Sequence, residues 1–286
     1  MYESVIDGDA AIAHLYELCE IEENTGRGEY MREQFEALGL TTEVTPISWY
    51  SNEDENVFAD YRGDPDSDQY LVVCAHHDTV SNSPGANDNG SGSVMLLELA
   101  DALVRNDAKI NIRFASFGLE EKGLIGARKY AAALSEEEKS YIKGAVNLDC
   151  IGNGSDLVII TKDYYARTTP WINEEIEKTA DSMGIAYEER SIGFGASDQA
   201  ALIKAGIDAT FICRMEGHSI PDIHSPNDKP ENNNPDQLAE VGDLTYNALF
   251  NIYNAEPRAI EEKEDAPEVA PPDGRFQRSQ DWPILL

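Results

Sequence analysis

The chain is poor in positive charge. Ten lysines occur in 286 residues, none before Lys109, and Lys and Arg together number 22 against 54 Asp and Glu. The formal net charge is −32, yet charged residues total 27%, close to the roughly 25% of an ordinary globular protein, so the bias is one of sign. A surface this acidic repels phosphate backbones and argues against a nucleic-acid partner. Long hydrophobic runs are missing as well. No apolar stretch approaches the roughly 20 residues of a membrane span, so no membrane partner is expected. Met1-Tyr2-Glu3-Ser4-Val5-Ile6-Asp7 has neither the basic-then-apolar pattern of a secretory leader nor a twin arginine. Cysteine is sparse. Cys19, Cys74, Cys150 and Cys213 stand far apart, without C-x-x-C, in a chain too large to need disulfides, and read as small core residues in a reducing cytoplasm.

What is present is a foldable chain. Hydrophobic residues make up 41% and are well mixed, which argues against general disorder. The carboxylate excess has a bland reading, an acidic cytosolic protein, and a sharper one, adaptation to molar salt. At such ionic strength the Debye length falls to roughly 3 Å or less, and repulsion between surface carboxylates is largely screened. Spread along the whole chain with lysine depleted, the charge favours the sharper reading. A calcium buffer is disfavoured because no D-x-[DN]-x-[DN]-G loop is present.

Apolar residues at helical spacing predict helices over Asp9 to Glu22, Gly28 to Leu38, Ser93 to Arg105, Leu124 to Leu134, Thr169 to Met183, Ser197 to Ala205 and Pro235 to Tyr253. Strands are predicted at Thr41 to Ile47, Asn56 to Tyr61, Gln69 to Ala75, Ile110 to Phe117, Ala145 to Cys150, Leu157 to Thr161 and Ala209 to Cys213. Ser51-Asn52-Glu53-Asp54 reads as a polar turn between the first two. Strands alternating with helices indicate an α/β domain with a mostly parallel central sheet covered on both faces. From Ala255 the composition shifts. Five prolines and Glu261-Glu262-Lys263-Glu264-Asp265 mark an extended tail, ending in the apolar Trp282-Pro283-Ile284-Leu285-Leu286. It reads either as a frayed terminus or as an arm that docks on its own or a neighbouring subunit.

In α/β sheets ligands gather outside the carboxyl ends of the strands. Five segments at such places carry acid, base or metal-ligating groups. In Cys74-Ala75-His76-His77-Asp78, residues 76 and 78 share one side of an extended segment, so a carboxylate can orient the imidazole beside it. Gly85-Ala86-Asn87-Asp88-Asn89-Gly90-Ser91-Gly92 has small residues that permit close backbone approach and places Asp88 near a helix start. Phe117-Gly118-Leu119-Glu120-Glu121-Lys122-Gly123 sits at a strand-to-helix turn, where adjacent glutamates can both enter one cleft. Asn147-Leu148-Asp149 and Asp222-Ile223-His224-Ser225-Pro226-Asn227-Asp228 complete the set. Two histidines, Asp88, Glu121 and Asp149, with one spare glutamate, suit two divalent ions held by N and O donors, which favours zinc and fits amide hydrolysis. His77 competes with His76 and His218 with His224; side alternation favours His76. His14 reads as a surface residue, and Cys74 and Cys150 as buried strand residues.

The segments A-H-H-D, G-A-N-D-N, G-L-E-E-K-G-L-I-G, N-L-D and H-S-P-N-D resemble the di-zinc aminopeptidases of the bacterial aminopeptidase S and yeast aminopeptidase Y type, in order and spacing, over roughly Leu15 to Asn254. The resemblance implies His76 and Asp149 on one zinc, Glu121 and His224 on the other, and Asp88 bridging them. It implies Glu120 as general base and later proton donor, Asp78 as the carboxylate behind His76, and a cis peptide bond at Asp88-Asn89. It also selects His224, since S-P-x-D follows that residue. Cobalt or manganese could substitute for zinc. The interval from Asp149 to His224 leaves no room for the dimerisation domain inserted in the related carboxypeptidases and deacylases. A single compact three-layer α/β/α domain over residues 1–254 is therefore expected, with the tail at 255–286, and nothing signals an oligomeric state. The implied substrates are peptides with a free N-terminus. Two departures stand out: Ile223 where many members carry an oxyanion-stabilising tyrosine, and Gln199 where a histidine often follows S-D. Asp198, in Ser197-Asp198-Gln199, reads equally as a substrate contact or a helix cap. A glutaminyl cyclase on the related scaffold is the alternative, and a ligand-free binding module is disfavoured because every ligand and the base are present.

Overall fold

The computed structural model describes residues 4–193 and 195–255. The first helix, α1 (Gly8–Cys19), starts where the Asp7 carboxylate accepts from the N–H groups of Asp9 and Ala10, and α2 (Asn24–Ala37) follows. A hairpin of β1 (Thr41–Trp49) and β2 (Asn52–Arg62) leads to β3 (Tyr70–His76), α3 (Gly92–Arg105) and β4 (Asn111–Phe117). Then come α4 (Ile125–Ala133), α5 (Glu136–Tyr141), β5 (Ile142–Leu148), β6 (Asp156–Lys162), α6 (Pro170–Met183) and β7 (Glu188–Ser191). The chain continues through α7 (Gln199–Lys204) and β8 (Ala209–Met215) to α8 (Pro235–Asn254).

The eight strands form one sheet in the order β1-β2-β4-β3-β5-β8-β6-β7. Four of the seven pairings are parallel: three join β4, β3, β5 and β8 into a central block whose carboxyl ends open on one edge, and the fourth joins β6 to β7. The core follows the period-2 rule of a strand covered on both faces. Leu71, Val73 and Ala75 of β3 pack with α1, α2, α3, α6 and α8, whereas Val72 and Cys74 pack with α4 and α7. The result is the expected three-layer domain.

Three local expectations need correction. The turn expected at Ser51 to Asp54 is shorter, since Asn52 already pairs with Trp49 and Glu53 with Ser48. Strand β7 was not expected. Glu188-Glu189-Arg190-Ser191 lies on the sheet edge without a buried residue, so it lacks apolar alternation. Helix α5 was not expected either. It buries nothing and is held by a capping box between Ser135 and Glu138, a signal of four residues that apolar periodicity overlooks. The tail from residue 256 on lies outside the described residues.

One buried charge in this scaffold serves no site. Glu98 of α3 is 5% exposed. Its carboxyl is pushed up to about 7, first by burial and then by Asp101 and Asp7, against the pull of Arg105. Because the fold holds this proton more tightly than the unfolded chain does, the stabilisation is full in acid and is lost as the pH rises through about 7. Glu98→Gln should therefore raise stability by on the order of 1–3 kcal/mol at about pH 8 and by much less at about pH 5. Thermal unfolding at the two pH values reads this, and an equal gain at both would remove the charge as the cause.

Candidate metal centre

The open edge of the central block is where the five segments meet. His76 ends β3, and Asp78 follows two residues later. The His76 Nδ1 lies 3.1 Å from the Asp78 carbonyl oxygen and 3.5 Å from Asp78 Oδ1. The same Asp78 carboxylate accepts from the backbone N–H of Glu120 (3.0 Å) and of Glu121 (3.2 Å). One carboxylate thus orients the imidazole at the end of β3 and ties down the turn at the end of β4. That turn, Glu120–Lys122, is flanked by left-handed Leu119 (φ 53°) and Leu124 (φ 57°). Left-handed backbone is also found at Cys150, directly after Asp149, and at Asp222 and His224. Non-glycine residues enter this region at a cost of about 1–3 kcal/mol each, and five of the seven among the described residues flank the acidic cluster's segments.

Asp88 lies in an irregular turn, Ala86–Ser91, leading into α3, and the Asp88-Asn89 peptide bond is cis, as the resemblance implied. The turn is fastened on all sides. Asp228 accepts from the N–H of Asn87 (2.6 Å) and of Asp88 (3.1 Å). Asn89 donates to the Leu148 carbonyl and accepts from Gly92 and Cys150, which locks the turn onto the end of β5. Gly92 itself must be glycine, because a Cβ there would lie 2.2 Å from the Leu148 carbonyl oxygen. Beneath the loop the fully buried Arg27 donates to the carbonyls of Pro84 and Gly85.

Asp88 sits between two imidazoles. Its Oδ1 is 3.4 Å from His76 Nε2, and its Oδ2 is 3.0 Å from His224 Nε2. Around His76 stand Asp149 Oδ2 at 3.6 Å and Glu120 Oε2 at 3.9 Å, and Glu121 Oε2 lies 3.0 Å from His224 Nε2. All seven residues singled out in the sequence are therefore together. His77 is turned away, towards Ser116 and Asp54, and His218 is exposed in the loop after β8. His14 is half-buried rather than exposed, with Nδ1 2.6 Å from the Tyr30 hydroxyl. Ile223 packs against the apolar cluster around Cys150, Met215 and Ile220, and the cap role open for Asp198 is not realised, since its side chain makes no capping bond.

The donors fit a cation. Asp88 Oδ2, Glu121 Oε1, Asp149 Oδ1 and His224 Nε2 are buried without a hydrogen-bond partner, although His224 Nε2 is close to two carboxylates. Proximity without hydrogen-bond direction is what ligands converging on an ion show. Donor atoms of His76, Glu120 and Asp149 lie within 4.8 Å of one another, as do those of Asp88, Glu121 and His224. Asp88, Asp149 and the Cys150 thiol form a third such group between them. Electrostatics agree. Burial pushes Glu120 well up, helped by Glu121, Asp198 and Asp149, and pushes Glu121 up to about 7. His224 is raised to about 10 by Asp88 and Glu121, and Asp88 is held at about 2 by both imidazoles against burial. The protein alone balances its buried carboxylates with protons, which divalent cations would replace.

Two supports were not assigned roles from the sequence, though both lay in quoted motifs. Asp228 closes H-S-P-N-D and holds the Asp88 turn. Ser197 opens Ser197-Asp198-Gln199 and donates to Asp149 Oδ2 at 2.6 Å.

This architecture matches known proteins. The model of peptidase family M28 fits residues 56–249, and the chain belongs to that family. Aminopeptidase YwaD of Bacillus subtilis (strain 168) is 35% identical over 202 residues, covering 68% of this chain and 44% of its own. The structure of BSAP, a zinc aminopeptidase from Bacillus subtilis, superposes with a TM-score of 0.64 at 30% identity over 72% of this chain and 51% of that one. An aminopeptidase from Aneurinibacillus sp. strain AM-1 shares the fold over 89% of this chain and 97% of its own, with a TM-score of 0.76 at 18% identity. Glutaminyl cyclase of Porphyromonas gingivalis shares it equally, with a TM-score of 0.76 at 17% identity over 87% and 99% of the two chains. This chain spans about half the length of the curated relatives it matches.

Replacing Asp228 with alanine would strand two backbone N–H groups in the interior. Asp228→Ala should cost about 2–4 kcal/mol, read as a lowered unfolding temperature of the metal-free protein. A variant as stable as the parent would show that Asp228 does not hold the turn.

Proposed function

We propose that this chain is a zinc-dependent aminopeptidase that removes N-terminal residues from peptides. The observation that carries the reading is Asp88 turning one carboxylate oxygen to each of two histidines, 3.4 and 3.0 Å away, with a further carboxylate beside each imidazole. In this reading His76 and Asp149 hold one zinc, Glu121 and His224 the other, and Asp88 reaches both. Bound there, the ions would supply Lewis acidity to a peptide carbonyl and acidify a water.

The chain's own groups would do the rest. Glu120, 3% exposed, has no ligand role in this reading and keeps its carboxylate 3.9 Å from His76 Nε2. Its environment favours the protonated form, which suits a base that takes a proton from the attacking water and then gives it to the leaving amine. Asp78 would hold the His76 imidazole through Nδ1, keeping Nε2 unprotonated as a ligand. The surplus of carboxylates would also attract a free substrate ammonium. Residues 1–254 would form the catalytic unit and 255–286 an appended tail. Four free cysteines fit a reducing cytoplasm, and among the described residues no helix is long and apolar enough to cross a membrane.

A Leu peptide with a free N-terminus should be cleaved in about 2–3 M KCl with added zinc, its acetylated form should not, and chelation should stop the reaction. Glu120→Gln should lower turnover by at least about 10²-fold with zinc content unchanged. Cleavage of neither peptide, with ammonia released from an N-terminal glutamine peptide, would replace the reading by a cyclase.

The acidic surface supports a second proposal, that the fold is adapted to high salt. Cations are so few that Arg32 faces Glu29, Glu33 and Glu36 at once, and Arg190 serves both Asp156 and Glu188. The unfolding temperature should rise between about 50 mM and 2 M KCl, where screening removes the repulsion between the remaining carboxylates. No rise would refute it.

A further inference from the structure

Behind Asp149 runs a chain of buried polar side chains that the reaction does not use directly. Asp163, in the loop after β6, is 1% exposed, and Asn147, Ser197 and Gln199 are fully buried. Gln199 Nε2 donates to Asp163 Oδ2 at 2.6 Å. Asn147 Nδ2 donates to Gln199 Oε1 at 3.0 Å and to Ser197 Oγ at 2.8 Å. Ser197 Oγ in turn donates to Asp149 Oδ2 at 2.6 Å. The far end is anchored, because Asp163 Oδ1 accepts from the backbone N–H groups of Tyr165 (2.7 Å) and Ala166 (2.6 Å).

Such a chain has one possible direction. An ionised carboxylate only accepts, so the Gln199 amide must present its NH₂ to Asp163 and its oxygen to Asn147. Asn147 must then present its NH₂, and both of its hydrogens are used, one on Gln199 and one on Ser197. Its oxygen is left to accept from the Cys74 thiol at 3.4 Å. Ser197, already accepting, has a single hydrogen and commits it to Asp149 Oδ2. The opposite Asp149 oxygen, Oδ1, stays buried and unpartnered.

We propose that Asp163 and Gln199 are positioning residues for the metal centre: the acceptor-only end at Asp163 sets the polarity of the Gln199–Asn147–Ser197 chain, which holds the Asp149 carboxylate in ligand orientation. This rests on the zinc reading above. It also gives the glutamine after S-D a chemical role. A neutral histidine there would offer one N–H and one acceptor nitrogen, the same polarity, whereas a methionine of similar length offers neither.

The test is zinc affinity of the full chain, measured by competition with a chelator, alongside thermal unfolding of the metal-free proteins. Asp163→Asn frees the amide ends to rotate, and Gln199→Met cuts the chain without changing its volume much. Each should weaken one of two zinc sites by about 10–100-fold, while Gln199→His stays within about threefold of the parent. The metal-free broken variants should still unfold cooperatively, at a lower temperature than the parent because each disturbs buried hydrogen bonds, so zinc affinity is compared on folded protein. If both broken variants bind zinc like the parent, or Gln199→His binds as weakly as Gln199→Met, the inference is overturned. A parent that takes up no zinc would instead overturn the reading of the site, and this inference with it.

Discussion

The constraint on which the rest of the structure depends is the packing of like charge in one dry place. Asp78, Asp88, Glu120, Asp149 and Asp198 are all buried around His76, with Glu121 beside them. In a low-dielectric interior such carboxylates repel one another and lose their hydration. What fixes them is a set of neutral donors: the backbone N–H groups of Glu120 and Glu121 on Asp78, those of Asn87 and Asp88 on Asp228, and the Ser197 hydroxyl on Asp149. These bonds orient without neutralising. The charge is left for protons or cations to balance, and that is the property a metal centre needs.

The parallel block of β4, β3, β5 and β8 explains why these groups can meet at all. Four strands pointing the same way end at one edge, so residues tens of positions apart in sequence become neighbours. The ends are then bent into register by left-handed residues at Leu119, Cys150 and His224, whose side chains are poor choices for that backbone. Leucine at φ 53° is retained because the turn it makes places two adjacent glutamates in one cleft, which neither a strand nor a helix would do. Local propensity is overruled where the site demands it.

The layer architecture and the cluster were legible in the sequence for a common reason. The fold shows in apolar periodicity, and the seven site residues show as short polar motifs where that periodicity stops, at the ends of β3, β4 and β5 and in the loops that precede α3 and follow β8. What stayed hidden lacks either signal. Strand β7 has no buried residue, and α5 buries none. The support from Asp163 to Asp149 joins three distant stretches of chain, at positions 147–149, 163 and 197–199, so only three dimensions reveal it. The role of Asp228 was hidden similarly, since its partners are backbone groups 140 and 141 positions away.

The carboxylates of this chain thus fall into two populations governed by different physics. Those at the surface stand in water, where their repulsion is long-ranged, weak per pair and screened by salt. Those of the cluster are shielded from solvent, so mobile ions outside screen them little, and only a bound proton or cation in direct contact offsets their charge. Salt and metal should therefore act on stability independently: raising KCl relieves the outside and leaves the cluster's need for a cation unchanged. The same separation explains why an acidic composition by itself says nothing about a metal site. The net charge of −32 is a property of the whole chain, whereas the centre is defined by small groups of carboxylate, imidazole and thiol donors, each group with its donor atoms within 4.8 Å of one another.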